Sequence, residues 1–177
     1  HMLYQYLDLS CIGFGALRGN AEALVHETKG YPDTGEYSIP VFVDWDRDGH
    51  FDLVVGNKAG DLHYYERLAV GRLVRRTGNG INPFHAMHFG AHAAPTFCLH
   101  GDGNMTMLVG NEAGIVDGFR QFPDGRFSHY LNFQWSAGFV VAVDVDWNGD
   151  GFMDYVFGDE SGRVTYAEAP TDSSAYT

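Results

Sequence analysis

The feature of this sequence that most constrains its fold is an acidic nine-residue pattern at residues 44–52. It reads Asp-Trp-Asp-Arg-Asp-Gly-His-Phe-Asp, and an apolar run at residues 53–56 follows it. Oxygen-bearing side chains occupy positions 1, 3, 5 and 9, and position 6 is a glycine, which permits a sharp turn. Carboxylates at alternate positions of a tight loop can surround one hard cation. The spacing therefore predicts a calcium loop.

The surrounding residues indicate which kind of calcium loop this is. Position 12, where a helix–loop–helix site carries a bidentate glutamate, holds Val55. The apolar run after the loop is short and ends in glycine, which is typical of a strand. We therefore expect a loop between two strands.

The pattern occurs three times in the chain. Residues 146–154 repeat it with asparagine at position 3, and residues 98–106 hold a degenerate copy, Cys-Leu-His-Gly-Asp-Gly-Asn-Met-Thr. The first positions lie 54 and 48 residues apart (44 to 98 and 98 to 146). After each copy come an apolar run and a Gly-x-x-x-Gly segment, which predicts a hairpin with both glycines at positive φ. Three copies at a period of about fifty residues predict a repeat architecture.

The shared motif resembles that of a known family. Copies one and three follow D-x-[DN]-x-D-G-x-x-D-[LY]-V-[VF]-G, which looks like the FG-GAP/VCBS repeat of integrin-α-like β-propellers, and the likeness spans residues 39–166. It implies an all-β fold, a β-propeller of four-stranded blades with three blades in this chain. It says little about activity, because the fold serves lectins, adhesion proteins and parts of enzymes alike.

The first and third loops are each expected to hold one calcium ion, and the middle loop is expected to be empty. The expected ligands are the side chains at positions 1, 3, 5 and 9 and the backbone carbonyl at position 7. They are Asp44, Asp46, Asp48, His50 and Asp52 in the first loop, and Asp146, Asn148, Asp150, Phe152 and Asp154 in the third. Carboxylates this close repel one another unless a cation lies among them. We expect the ions to be structural and predict no catalytic residue.

The repeats divide the chain into parts of one propeller unit, residues 1–177. Residues 39–77 form blade one, 78–131 a loop and blade two, 132–168 blade three and 169–177 a tail. Residues 3–38 are expected to supply strands that close the last blade, because residues 23–27 resemble the fourth-strand segments 72–76 and 126–130.

The number of blades predicts a partner. Propellers have about four to eight blades, so three do not close a ring easily. An open set of three would expose two apolar flanks. We therefore expect either a homodimer with six blades or further blades that lie outside this chain.

Two alternative metal sites are open at the level of sequence. Cys98, His100 and Asp102 of the middle loop have the ligand types of a zinc site. His85, His88 and His92 follow the spacing H-x2-H-x3-H, but nearby proline and glycine argue against a long helix. The alternatives are a loop that has lost its ion and ordinary loop histidines. The two cysteines of the chain, at 11 and 98, do not amount to a disulfide framework.

Tryptophans and loop histidines are the candidate ligand contacts. Trp45 and Trp147 both occupy loop position 2, and Trp135 precedes the third copy. The resemblance to carbohydrate-binding propellers implies stacking on a sugar; the alternative is packing between blades. Our candidates for ligand binding are Trp45, His85, His88 and Trp147.

Charge and apolar content exclude some partners. The chain of 177 residues has 23 acidic and 11 basic residues, a formal net charge of −12, which argues against a nucleic-acid partner. No apolar run approaches the ~20 residues that a membrane span needs. Loops without the bidentate glutamate should bind calcium too weakly for the cytosol, so we expect an extracellular or cell-surface location.

These observations lead to one expected function and two alternatives. We expect a calcium-stabilised binding module whose ligand is a glycan or a protein surface. The alternatives are a purely structural, self-assembling propeller unit and a part of a polysaccharide-active enzyme.

Overall fold

A computed structural model describes residues 33–69 and 71–169 of the chain. These residues contain strands, turns and loops and no helix. None of them, therefore, forms a helix that could cross a bilayer. The strands are β1 (Ile39–Val43), β2 (Asp52–Gly56), β3 (Leu62–Arg67), β4 (Leu73–Arg76), β5 (Ala94–Leu99), β6 (Met105–Gly110), β7 (Ile115–Gln121), β8 (Phe127–Gln134), β9 (Val140–Val145), β10 (Asp154–Asp159) and β11 (Val164–Ala167).

The strands form three antiparallel meanders, in which each strand pairs with the next one along the chain. The sheet orders are β1-β2-β3-β4, β5-β6-β7-β8 and β9-β10-β11. One predicted cation loop joins the first and second strands of each sheet. The all-β prediction is confirmed. The fourth strand that we expected from residues 23–27 lies outside the described residues.

The chain divides into two compact units between Pro95 and Thr96. Within its described part, the first unit holds the first sheet and the long loop after it. Val55, Tyr65 and Leu73 form a buried cluster in this sheet. The loop is held by Phe84, which is 1% exposed and whose ring lies 4.8 Å from that of Trp45.

The second unit holds the second and third sheets. Its core consists of Leu108, Val116, Val140, Ala142 and Phe157. Strand β6 is buried along its whole length. The indole of Trp135 stacks on the Phe157 ring at 3.9 Å. Trp135 is therefore partly buried and packs against the core of this unit.

The Gly-x-x-x-Gly segments turn as predicted, but only one glycine of each pair has the predicted conformation. The second glycines, Gly60, Gly114 and Gly162, have φ of 91°, 76° and 84°. The first glycines do not have positive φ. A Cβ at Gly56 would lie 2.0 Å from the carbonyl oxygen of Ala93, and one at Gly110 would lie 2.0 Å from that of Val140. The prediction of positive φ was thus wrong for the first glycines, and at Gly56 and Gly110 glycine is required instead by the close approach of another backbone.

Candidate cation loops and an adjoining pocket

The first loop gathers three carboxylates. One ligand oxygen from each of Asp44, Asp46 and Asp48 lies within 4.8 Å of the others. Backbone amides hold the loop closed: Gly49 N donates to Asp44 Oδ2 (3.1 Å) and His50 N donates to Asp48 Oδ1 (2.8 Å). Asp44 Oδ1 is buried and accepts no hydrogen bond. A buried carboxylate oxygen without a donor is costly, so this arrangement fits a bound cation.

The third loop repeats the same network. Gly151 N donates to Asp146 Oδ2 (3.1 Å), and Phe152 N donates to Asp150 Oδ1 (2.8 Å). Asn148 replaces one carboxylate, and its Nδ2 donates to Asp150 Oδ2 (3.1 Å) and to Glu168 Oε1 (3.1 Å). The third loop thus has the geometry of the first with one negative charge fewer among its side-chain ligands.

The position-9 aspartates connect their loops to the sheet. Asp52 is 0% exposed, and its Oδ2 accepts from Tyr64 Oη (2.7 Å) and Trp45 N (3.3 Å). Its Oδ1 accepts from Arg67 N (2.8 Å). Both oxygens therefore have protein donors, which tie the loop to strand β3.

Asp154 makes the equivalent contacts in the third sheet. It is 0% exposed, and its oxygens accept from Tyr166 Oη (2.7 Å), Trp147 N (3.3 Å) and Ala169 N (3.0 Å). Tyr166 donates to a carboxylate, and this hydrogen bond raises its pKa to about 12. The tie between position 9 and the third strand is therefore a repeated element of this fold.

The pKa values of the two position-9 carboxyls are shifted in opposite directions. Burial raises the pKa of Asp52 and, together with the nearby charge of Asp46, outweighs the hydrogen bonds from Arg67 and Tyr64. At Asp154 burial also acts to raise the pKa, but the hydrogen bonds from Ala169 and Tyr166 outweigh it, and the pKa is lowered.

The middle loop has a different network. His100 Nε2 lies 2.9 Å from Thr106 Oγ1 and 3.3 Å from Asp144 Oδ2. Asp102 instead accepts hydrogen bonds from Asn104. Cys98 lies near His100 and Asp144 but is disulfide-bonded, so its sulfur is not a thiolate ligand. The alternative zinc set of Cys98, His100 and Asp102 is not brought together, and sequence analysis did not anticipate the disulfide.

The three loop histidines have different surroundings. His85 lies beside the pocket described below, and His88 Nδ1 lies 3.5 Å from Asp61 Oδ1. His92 packs its ring on Tyr37 at 4.6 Å. Among the residues that the structure describes, these three do not form a group with ligand atoms in mutual reach.

A pocket of about 470 Å³ lies beside the first loop, within the first unit. Its walls include Trp45, Asp46, Tyr64, Glu66, Asn82 and His85. The pocket has the size of a small-molecule site. Of the predicted ligand contacts, Trp45 and His85 line this pocket; His88 is absent from its lining, and Trp147 is 70% exposed in the other unit.

The pocket is acidic and shares a residue with the cation loop. Asp46 belongs to both, and burial, followed by the charges of Asp48, Glu66 and Asp44, raises its pKa. Glu66 accepts a hydrogen bond from Arg76 Nε at 2.7 Å, so the charge of Arg76 offsets that of Glu66. A cation in the loop would therefore act directly on one wall of the pocket.

Sequence analysis missed two residues in each full repeat. Tyr64 and Tyr166 follow their position-9 aspartates by 12 residues, and Glu66 and Glu168 lie two residues further on. The middle repeat has glycine and arginine at these offsets, Gly118 and Arg120, and threonine at position 9. The middle repeat thus lacks both the aspartate and the tyrosine, and it has a positive charge in place of the glutamate. An alignment of the three repeats would have revealed these linked differences.

Comparison of the chain with family models, with curated proteins and with solved structures gave no match.

Proposed function

We propose that this protein is a calcium-stabilised β-propeller module that binds a glycan or a protein surface. One observation carries the proposal: Asp46 is both a member of the acidic cluster and a wall of the pocket. A cation held by the loop neutralises the carboxylates and fixes the pocket wall. Ligand binding in the pocket is therefore coupled to calcium.

The residues for the cation are those of the first and third loops. In the first loop Asp44, Asp46 and Asp48 would hold it, because their oxygens already converge and one of them lacks a donor. In the third loop Asp146 and Asp150 would hold it with Asn148. Calcium supplies positive charge and no reaction step. The absence of the bidentate glutamate favours an extracellular or cell-surface location, where calcium is abundant.

The lining of the pocket favours a hydroxyl-rich ligand. Carboxylate oxygens at Asp46 and Glu66 accept hydrogen bonds from hydroxyl groups, and the Asn82 amide both donates and accepts. Trp45 and Tyr64 also line the pocket, but both are buried and pack against Phe84, so they offer little apolar surface to a ligand. The acidic walls disfavour anionic sugars, so we expect neutral or amine-bearing glycans.

Glycan-array binding with and without calcium tests this function. We expect binding to neutral or amine-bearing glycans that disappears when EDTA removes calcium. His85→Ala should weaken binding about tenfold, since it removes a polar group from the pocket wall. His88→Ala is the matched control, because His88 is an exposed histidine of the same loop outside the pocket lining.

Three results would count against the proposal. They are silence across a broad array of glycans together with no protein ligand, binding that EDTA does not change, and equal losses from both histidine variants. A glycan-silent protein that still binds a protein ligand through His85 would support the protein-surface form of the proposal.

A further inference from the structure

A polar cluster lies at the middle loop, within the second unit. Cys98 of β5, Thr106 of β6 and Asp144 of β9 are buried. His100 lies in the loop between β5 and β6, and its side chain is largely buried. The Cys98 sulfur, a ring nitrogen of His100 and a carboxylate oxygen of Asp144 all lie within 4.8 Å of one another. A sulfur, an imidazole and a carboxylate are therefore brought together at a loop that the proposed function does not use.

The hydrogen bonds of this cluster determine the tautomer of His100. The Thr106 hydroxyl donates to Asp144 Oδ2. A hydroxyl has a single proton to donate, so Thr106 can only accept from His100, whose Nε2 lies 2.9 Å from Thr106 Oγ1. A second acceptor, Asp144 Oδ2, lies 3.3 Å from the same nitrogen. Nε2 therefore carries the ring proton, and Nδ1 of the neutral imidazole is left as an acceptor.

The disulfide form of Cys98 gives that acceptor no donor. His100 Nδ1 is buried and has no hydrogen-bond partner among the described residues. An unsatisfied buried acceptor costs free energy. The Cys98 sulfur cannot satisfy it in the disulfide, because a bonded sulfur has no proton to donate. The same sulfur as a thiol would bring an S–H donor into the cluster. The oxidised protein thus contains an unmet acceptor that the reduced protein can satisfy.

We propose that the Cys98 disulfide is a redox-active site that an external dithiol reduces, and that His100 Nδ1 stabilises the resulting thiol. Asp144 and Thr106 hold the imidazole through Nε2, which leaves the opposite nitrogen for the sulfur. A sulfur next to an imidazole that a carboxylate orients is the arrangement by which proteins make a cysteine reactive. The burial of Cys98 excludes direct attack on its own sulfur, so Cys98 is the group that leaves when the disulfide opens.

Reduction takes place in two exchange steps. A thiolate of the dithiol attacks the sulfur joined to Cys98, the S–S bond breaks, and its electron pair stays on the Cys98 sulfur. That sulfur takes the proton given up by the attacking thiol and donates it in a hydrogen bond to His100 Nδ1. The second thiol of the dithiol then attacks the mixed disulfide and releases the other protein sulfur as a thiol. Two electrons and two protons pass to the protein, and the dithiol becomes a disulfide.

Equilibration of the folded protein with mixtures of reduced and oxidised dithiothreitol tests this proposal. An acid quench, alkylation and mass measurement give the reduced fraction. We expect His100→Ala to lower the equilibrium constant for reduction about tenfold, because the thiol loses its acceptor and the disulfide form no longer contains an unmet one. His129→Ala is the matched control, since His129 is an exposed histidine of β8 in the same unit and lies beside Asp117 instead. It should leave the constant unchanged.

Nitrogen NMR of the unaltered protein gives a second measurement that needs no variant. We expect the oxidised protein to carry the His100 proton on Nε2, with an Nδ1 resonance typical of an unbonded imidazole nitrogen. Reduction should shift the Nδ1 resonance as the S–H hydrogen bond forms. A proton on Nδ1 in the oxidised protein, an equilibrium constant that His100→Ala leaves unchanged, equal changes in both histidine variants, or a disulfide that the dithiol reduces only after unfolding would each overturn the proposal.

Discussion

At the scale of the residue, the repeats differ by a linked set of changes. The two full repeats combine a position-9 aspartate with a tyrosine hydroxyl donor, in the pairs Asp52–Tyr64 and Asp154–Tyr166. The middle repeat has Thr106 and Gly118 at these places. A tyrosine without its buried acceptor would leave a hydroxyl to be satisfied, so both members change together.

Glu66 should strengthen calcium binding at the first loop. Its charge acts on Asp46, and it lies in the same pocket wall. We expect Glu66→Gln to lower the calcium affinity of the first loop on the order of tenfold, because one nearby negative charge is removed and Glu66 no longer offsets the charge of Arg76. Calorimetric titration measures this. Glu112→Gln, in the hairpin of the middle repeat, should leave the affinity unchanged, and an equal loss in both variants would contradict the assignment.

As the pH falls, the first loop should release calcium at a higher pH than a loop whose aspartates had ordinary pKa values. Calcium binds the deprotonated carboxylate, and burial raises the pKa of Asp46. Protons therefore compete as the pH falls through that raised pKa, while the metal-free loop becomes more stable as its repulsion is relieved. Calcium titrations at a series of pH values, from neutral down towards the ordinary aspartate pKa of about 4, should show falling affinity. Asp46→Asn should bind more weakly throughout and show a smaller pH dependence; an identical pH profile would contradict this role.

At the scale of the element, local patterns were sufficient for the strands and turns. Short apolar runs bounded by glycine predicted β2, β6 and β10, because strand and turn preferences depend on neighbouring residues. Such local patterns did not predict the contacts between elements. The requirement for glycine at Gly110 comes from a carbonyl 30 residues away in sequence, at Val140.

The candidate site was likewise predictable only in part, since the sequence predicted the loop but not the pocket. The spacing of acids predicted the first loop, and the structure brings Asp44, Asp46 and Asp48 together. The pocket depends on Phe84, which holds a loop against Trp45, and no periodic pattern identifies such a residue. His85 and His88 are alike in sequence, and only the path of the loop places the first of them at the pocket.

Gly110 should be among the least replaceable residues of the second unit. In Gly110→Ala the new Cβ meets the backbone carbonyl of Val140, which cannot rotate away as a side chain can. We expect the free energy of unfolding to fall by about 3 kcal/mol in urea titrations. Gly101→Ala is the control, since its Cβ position has no atom within 4 Å among the described residues and its φ is not positive. A loss of less than about 1 kcal/mol at Gly110 would show that the backbone there can shift.

At the scale of the whole molecule, we propose that cations at repeated corners of the sheets stabilise this acidic chain. The formal net charge of −12 is concentrated in part in the two full loops, so an ion bound there would relieve repulsion between neighbouring carboxylates. In the second unit, the hairpin after β6 also receives the backbone that enters the third sheet, because Gly110 lies against the carbonyl of Val140.

Calcium titration of the metal-free protein, followed by thermal unfolding with and without the ion, tests this account most directly. We predict two calcium ions per chain, weaker binding at the loop that contains Asn148, and a midpoint of unfolding that rises with calcium concentration. Asp48→Asn should abolish one of the two binding events and leave the other. A protein that takes up no calcium, and unfolds at the same temperature with and without it, would contradict the account.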